Sequence, residues 1–367
     1  MVSVKLVDIA TANPPLKLTQ KAILERILNS PLRSKKEKRL YSKFLAEPSI
    51  HTRYVAIDDE PEKLFEETQD EAIHRFQVQA TKLGTEAVRR LLDQTGLIPD
   101  DIDGIVITTC TGYLCPGLTS YISQAAGLKE NIYALDIVGT GCGAAVPGMK
   151  SAWQYLNTHP HANVIVLAVE ICTATSYWSE NLDLIISNSI FGDGAAACLM
   201  TNKERSTGLL IKEFQSILWP QYRDDLRYVT KNGRLMNVLK KEVPGLAASA
   251  FYQVYKKLTR DFTLDLDYLA VHPGGRAILD AIESIHPFEP DTFDYSRSVL
   301  ARYGNMSSPS VLYVLKDILA QNTCQDSDQV GIFAFGAGLT AFGCLAEWQD
   351  AKVKNQVKGE KQYEYVV

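Results

Sequence analysis

Three residues in this chain have the type and setting that acyl-transfer chemistry requires. Cys142 lies in Gly139-Thr140-Gly141-Cys142-Gly143, after an apolar run from Tyr133 to Val138 and before small and apolar residues at helical spacing (Ala144, Ala145, Met149, Ala152, Trp153, Leu156). This pattern predicts a buried strand that breaks sharply into a packed helix, with the cysteine at the break. Flanking glycines let the backbone turn and leave room for a substrate. The partial positive charge of a helix N-terminus favours thiolate over thiol. A small buried cysteine at a tight turn fits the same stretch, since free cysteine is among the most buried residue types. His272 follows the apolar run Tyr268 to Val271 and precedes Pro-Gly-Gly, a setting that lets it project into an interior cleft. Imidazole is the usual partner that holds a nucleophilic cysteine as thiolate. Asn305 stands at a turn before a helix, where its amide can donate to a developing oxyanion. Taken singly, His272 reads equally as a satisfied core histidine and Asn305 as a turn residue. Only a fold can bring three such distant positions together.

The elements that must position them follow an alternating strand and helix rhythm. Residues 1–12 read as a strand and 19–47 as helical. The helical stretch carries a basic cluster in which Lys36, Arg39 and Lys43 share one face. Such a face is either simply solvated or a docking strip for phosphates, which need several cationic donors together. Residues 59–72 are acidic and read as a surface loop, and 73–96 as a long amphipathic helix ending near Gly96. Ile105 to Thr109 is a β-branched strand followed by a loop with Pro116. Ala162 to Glu170 has no alternation and reads as a strand buried on both faces. The stretch Ile190-Phe-Gly-Asp-Gly leads into another apolar strand, and GIFAFGAGLTAFGCLAEW near the end echoes it as a strand, a Gly-x-Gly turn and a strand. With about 240–262 helical between them, the echo suggests a duplicated α/β unit in which both halves end on this hairpin. The halves are placed at 1–205 and 206–350, with 351–367 a charged tail lacking periodicity.

Composition narrows the function. The 367 residues are 46% hydrophobic and 22% charged with a net charge of −5. That is enough for a sizeable core and argues against a nucleic-acid binder or a basic membrane-surface protein. No apolar run approaches the roughly 18 residues of a membrane span. The first fifteen residues lack the charged-then-apolar order of a signal peptide. The seven cysteines (110, 115, 142, 172, 198, 324 and 344) form no C-x-x-C pair and mostly sit in apolar runs. Neither a disulfide framework nor a zinc site is expected, and a cytoplasmic location fits. His159 and His161 flank a proline in an expected surface loop and read as bystanders, so no metal is expected.

The combination of motifs decides between the alternatives. GTGCGAAVPGM around Cys142, FGDGAAA at 191–197, AVHPGGRAILD around His272, YGNMSSPSVL around Asn305 and FAFGAGLTAFG near the end resemble the type III polyketide synthases, the chalcone and stilbene synthase-like family of thiolase-like condensing enzymes. The matches occur in family order over nearly the whole chain. Fatty-acid priming ketosynthases share a Cys-His-Asn set but resemble this chain less at HPGG and GNMSS. Hydroxymethylglutaryl-CoA synthases carry a glutamate in theirs.

The resemblance implies an α/β, thiolase-like αβαβα layered homodimer that condenses malonyl-CoA onto an acyl-CoA or acyl-carrier-protein starter, with no cofactor beyond these thioester substrates. Cys142 would hold the starter and the growing chain. His272 and Asn305 would bind the malonyl thioester carbonyl, and His272 would also keep Cys142 ionised. Lys36, Arg39 and Lys43 in KEKRLYSK would meet the CoA phosphates, and Phe191 would stand at the mouth between CoA tunnel and cavity. Cys110, Thr111, Cys172, Thr175 and Ser307 match pocket positions. Asn237, six residues before Val243-Pro244-Gly245, matches a second gatekeeper that is phenylalanine in the plant enzymes. Leu114-Cys115-Pro116-Gly117 matches a dimer-crossing loop, so Cys115 would reach the partner's cavity and Cys115-Pro116 would be cis. The product would be a resorcinol, a pyrone or a dihydroxyphenylacetyl-type thioester. Rival readings are a single-round carrier-protein synthase of the priming type, a non-catalytic scaffold, and a cysteine hydrolase. The hydrolase is disfavoured because no water-activating acid is seen near the motifs.

Overall fold

The computed structural model describes residues 2–350 apart from 59, 204–206, 232, 262 and 322–323. The expected boundary at 205/206 and the charged tail at 351–367 therefore lie outside the described residues. Before the boundary the chain runs β1 (Lys5–Ala12), β2 (Leu16–Thr19), α1 (Gln20–Asn29), α2 (Lys35–Leu45), β3 (Thr52–Val55), α3 (Gln69–Thr95), β4 (Gly104–Thr109), α4 (Leu118–Ala126), β5 (Tyr133–Val138), α5 (Ala145–Leu156), β6 (Asn163–Glu170), α6 (Leu182–Ile190) and β7 (Gly194–Thr201). After it come β8 (Gly208–Leu218), β9 (Leu226–Lys231), β10 (Arg234–Leu239), α7 (Val243–Leu258), β11 (Tyr268–Val271), α8 (Arg276–Glu283), α9 (Asp294–Tyr303), α10 (Ser310–Ala320), β12 (Gln329–Gly336) and β13 (Thr340–Gln349).

Strand pairing displays the duplication. The large sheet has the order β11-β12-β13-β8-β1-β7-β6-β4-β5. Within it, β4-β6-β7-β1 is repeated by β11-β12-β13-β8: in each set the first pair is parallel and the next two are antiparallel. The two sets join where Lys5 and Leu6 pair with Leu210 and Leu209. Alternate strand residues then face opposite layers. Val164, Val166 and Ala168 of β6 pack with α5 and α10, as do Val330, Ile332 and Ala334 of β12. Ile165, Leu167 and Val169 face α3, while Phe333 and Phe335 face α7 and α8. The result is the α/β thiolase-like αβαβα stack, with α5 and α10 as its central layer. Helices on both faces explain why β4, β6 and β7 are buried at every position.

Several elements differ from expectation. The stretch 19–47 is two helices broken near Pro31, the second opened by a capping box of Ser34 and Glu37. The expected acidic loop at 59–72 contains a 3₁₀ turn at Pro61–Phe65, and α3 already starts at Gln69 behind a Thr68–Glu71 capping box. The helix stops at Gly96 (φ 68), where a left-handed cap favours glycine. Phe-Gly-Asp-Gly in the first half follows a helix, α6, so it is no hairpin; only its counterpart at β12–β13 is one. The run Tyr133 to Val138 is a strand but not a buried one. It is the edge of the sheet, with Val138 46% exposed. Tyr133, Leu135 and Ile137 pack on the central core, while Ala134 and Val138 of the other face are exposed. Among the described residues no helix is long and apolar enough to cross a membrane.

Candidate active site

The site forms where strand carboxyl ends meet, the usual place for ligands in α/β sheets. Cys110 follows β4, Cys142 follows β5, Glu170 ends β6 and His272 follows β11. Cys142 sits in a 3₁₀ turn, Gly141–Gly143, and α5 begins only at Ala145. Two glycine-rich loops cross here at backbone contact. A Cβ on Gly141 (φ +66) would lie 2.8 Å from the Ala337 nitrogen, and one on Gly336 would lie 2.3 Å from the Thr140 oxygen. Only glycine allows that approach.

The three motifs converge on this turn. Ser307, two residues after Asn305, donates from Oγ to Cys142 Sγ at 3.2 Å. Asn305 Nδ2 donates to the Gly274 carbonyl at 3.0 Å, which ties Asn305 to the loop carrying His272. Asn305 Oδ1 accepts from Ser307 N at 2.7 Å, so the amide is fixed at both ends. His272 is 1% exposed, its ring packs edge-on to Phe335 at 5.4 Å, and its Nδ1 is buried without a hydrogen-bond partner. Burial pulls the His272 imidazolium down to about 3 and pushes the Cys142 thiol up to about 12. The thiolate expected from the helix end is thus outweighed by burial, and the helix starts only at Ala145. Burial thus disfavours a lone charge on either group.

The structure also places an acid beside the nucleophile, which corrects the expectation that none is near. Glu170 is fully buried and its carboxylate accepts from Ser308 Oγ (2.6 Å), Thr111 Oγ1 (2.8 Å), Cys110 N (2.9 Å), Thr109 Oγ1 (3.1 Å) and Ser307 Oγ (3.3 Å). Burial raises its pKa, partly opposed by the Ser308 bond and the others. Ser307 is reached at φ 60, an unusual conformation for serine. Its hydroxyl lies within reach of Cys142, Glu170 and the Cys110 thiol (3.1 Å). The signal in the sequence was a single acid closing an otherwise apolar strand. Glu170→Ala would strand this set of buried donors, and the expected loss is about 3–5 kcal/mol of unfolding free energy. Urea unfolding checks it, and a loss below about 1 kcal/mol would show that the donors find water instead.

The pocket positions divide into two groups. Thr111 spends its hydroxyl on Glu170 and on the Ile171 amide, so it anchors the acid and does not line open space. Cys172, Thr175, Phe191 and Asn237 line one wall of a cavity. Asn237 lies on the β9–β10 hairpin, 7% exposed, and donates to Ser187 Oγ at 2.7 Å. Tyr228, on the facing strand of that hairpin and missed in the sequence, lies 3.4 Å from Thr175 Oγ1 through its phenol. Leu18, Ile23, Ile27, Leu64, Phe65 and Trp178 give the cavity a large apolar wall, and Arg26, Arg53, Ser187 and Asn188 line its polar side. Neither Cys142, His272 nor Asn305 is on its lining. It approaches them only through Cys172 and the Phe191 and Asn237 side.

Lys36, Arg39 and Lys43 lie exposed along α2, and Lys36 pairs with Glu180 at 3.0 Å. The helix packs on α6, where Tyr41 Oη accepts from Asn188 Nδ2 at 2.9 Å, just before Phe191. Cys115 is exposed and the Cys115-Pro116 bond is cis, as expected. His159 is a bystander stacked on Tyr155. Among the described residues no group of three His, Cys, Asp or Glu is placed to hold a metal ion.

A duplicated αβαβα stack that gathers a buried cysteine, histidine and asparagine motif at its strand ends defines a thiolase-like condensing enzyme. Residues 3–215 match the FAE1/type III polyketide synthase-like family, and residues 213–347 match the chalcone and stilbene synthase C-terminal domain. The chain belongs to the type III polyketide synthase family and is a Claisen-condensing acyltransferase. It is 29% identical over 276 residues to 1,3,6,8-tetrahydroxynaphthalene synthase of Streptomyces coelicolor, covering 74% of this chain and 73% of the relative. An alpha-pyrone synthesis polyketide synthase-like protein of Mycobacterium tuberculosis is 26% identical over 354 residues, 92% of this chain and 89% of its own. The crystal structure of the Streptomyces coelicolor synthase superposes with a TM-score of 0.83 at 26% identity, over 94% of this chain and 99% of that one. These matches support the polyketide synthase and not the carrier-protein synthase of the priming type.

Proposed function

We propose that this enzyme loads an aliphatic acyl group onto Cys142 and extends it repeatedly with malonyl-CoA. The Cys142 thiolate attacks the starter thioester, the CoA thiol leaves, and the acyl group stays on sulfur. His272 and Asn305 donate to the malonyl thioester carbonyl as CO2 departs, holding the enolate. The enolate carbon attacks the Cys142 thioester, the sulfur leaves as thiolate, and the extended chain returns to it for the next round. Lys36, Arg39 and Lys43 meet the CoA phosphates, and Phe191 keeps water from the enolate. The convergence of Ser307 on Cys142 and of Asn305 on the His272 loop carries this reading.

The apolar cavity beyond Cys172 supports a hydrocarbon starter. Its wall of branched and aromatic side chains suits an alkyl tail, whose burial yields about 0.8 kcal/mol per methylene. Relatives named for tetrahydroxynaphthalene, alpha-pyrone and 3,5-dihydroxyphenylacetyl-CoA formation mark the product classes within reach. A homodimer across the exposed β5 edge would cover Val138 and Tyr113 (73% exposed) and carry Cys115 to the partner's cavity.

Purified enzyme given radiolabelled malonyl-CoA and acyl-CoA starters of increasing length tests the proposal, with products read by mass spectrometry. Ring products with a preference for longer starters are expected, and no preference would remove the cavity from the account. Leu64→Trp fills the cavity from a surface turn. It is expected to move the preferred starter to shorter chains and to lower kcat/KM for the longest by about 10-fold or more, the scale of a few lost methylenes. An unchanged chain-length profile would contradict this placement of the tail.

A further inference from the structure

We propose that Arg53 is a positioning residue whose buried guanidinium bolts the loop of Phe191 to β3, which is in turn stapled to the chain leading to Asn305, setting the spacing of the two side chains that shield and stabilise the enolate. This rests on the roles proposed for those two residues. Arg53 lies on β3, 5% exposed. Its Nε donates to Gln20 Oε1 at 2.9 Å, and its Nη1 donates to the carbonyls of Asn188 (2.8 Å) and Phe191 (2.5 Å). These carbonyls belong to the end of α6, where a helix leaves its last oxygens without intrahelical partners. Each of them is accounted for here. The Ser187 oxygen takes the Phe191 amide, Ser189 takes Gln20 Nε2 (2.9 Å), Ile190 takes the Asn305 amide (2.9 Å), and Asn188 and Phe191 take Arg53.

The seam continues into the catalytic loop. Gly192 N donates to the Asn305 carbonyl at 3.0 Å, closing an isolated parallel bridge between Phe191 and Asn305. Gly304 (φ +69) makes room for the arginine stem, since a Cβ there would lie 2.7 Å from the Ile190 oxygen and 2.8 Å from Arg53 Cγ. β3 is itself stapled to the chain before Asn305, because Thr52 Oγ1 donates to the Arg302 carbonyl at 2.7 Å. Burial lowers the guanidinium pKa to about 10, with Asp193 opposing, so the cation persists at neutral pH. The rigid guanidinium holds Gln20 through Nε and both carbonyls through Nη1 in one fixed relation, which the single nitrogen of an ammonium cannot reproduce.

A merely structural arginine would lower every partial reaction alike, whereas a positioning one changes their ratio. Arg53→Lys keeps the charge and the stem. With an acetyl starter, too short to reach the cavity that Arg53 helps to line, we expect Cys142 to be acylated at the wild-type rate, while condensed product per CO2 released falls about 10-fold, the scale of one charge-assisted hydrogen bond. The unshielded enolate would then take a proton from water and leave as acetyl-CoA. Amide exchange at Gly192 and Asn305 is expected to speed up about 10-fold while β12 stays protected. Gln20→Ala frees Arg53 Nε and is expected to give a smaller shift of the same sign, and it serves if the lysine variant does not fold. An unchanged ratio with unchanged exchange would overturn the proposal, as would an equal fall in acylation, decarboxylation and condensation. If wild-type enzyme neither decarboxylates nor condenses malonyl-CoA, the proposed reaction fails, and amide exchange alone still tests the bolt.

Discussion

Cys142→Ala is expected to make no condensed product and to carry no acyl group, yet still to release CO2 from malonyl-CoA. The two halves of the chemistry rest on different atoms. Sulfur alone can hold the starter and the growing chain, so its loss should lower product formation by on the order of 10⁴ or more, as removal of a covalent nucleophile does. Decarboxylation needs only the donors that bind the thioester carbonyl, and His272 and Asn305 are anchored independently of the thiol. The Asn305 amide is held by Gly274 and Ser307, and His272 by its strand and Phe335. Trapped acyl-enzyme, product and CO2 measured side by side check this. A variant that retains product, or that loses CO2 release to the same degree, would show that the roles are not separable in this way.

The second large effect is on the reactivity of the thiol itself. Burial pushes Cys142 up to about 12 and His272 down to about 3, so neither is charged alone. On the proposed mechanism the thiol's proton moves to the imidazole, and the pair would then gain the mutual attraction that each charge lacks singly. His272→Ala removes the acceptor. Alkylation of Cys142 by iodoacetamide at pH 7 is expected to slow about 100-fold, the range in which a partner's removal shifts thiolate population. CO2 release is expected to fall on the order of 10²–10³-fold, as when an oxyanion donor is lost. Unchanged alkylation would mean that Ser307 or the loop amides suffice to activate the sulfur.

What the sequence revealed and what it hid follow from how local each feature is. The turn at Cys142, the setting of His272 and the cap of α3 at Gly96 are short-range patterns, and the structure has them. Fully apolar strands such as Ala162 to Glu170 marked a sheet covered on both faces, while the αβαβα stack itself was implied only by the family resemblance. Tyr133 to Val138 misled because its apolar content reports the one face packed on the core, while its place at the sheet edge leaves the other face open. Glu170 was visible as a lone acid closing a buried strand, but its meaning depends on Thr109, Thr111 and Ser308 arriving from other segments. The β9–β10 hairpin bearing Tyr228 and Asn237 is short, partly exposed and charged, so period-two alternation hardly marks it. Arg53 acts on backbone carbonyls far along the chain, which no sequence pattern can encode.

The most direct test of the central claim is a peptide-level mass map of the enzyme quenched during turnover with limiting malonyl-CoA. If Cys142 carries the chain through repeated decarboxylative condensation, the Cys142 peptide will show the starter acyl mass followed by a ladder of two or more added C2H2O units, absent from Cys142→Ala. A peptide bearing the starter alone or with a single unit under every ratio of substrates, or a ladder on a different residue, would contradict it.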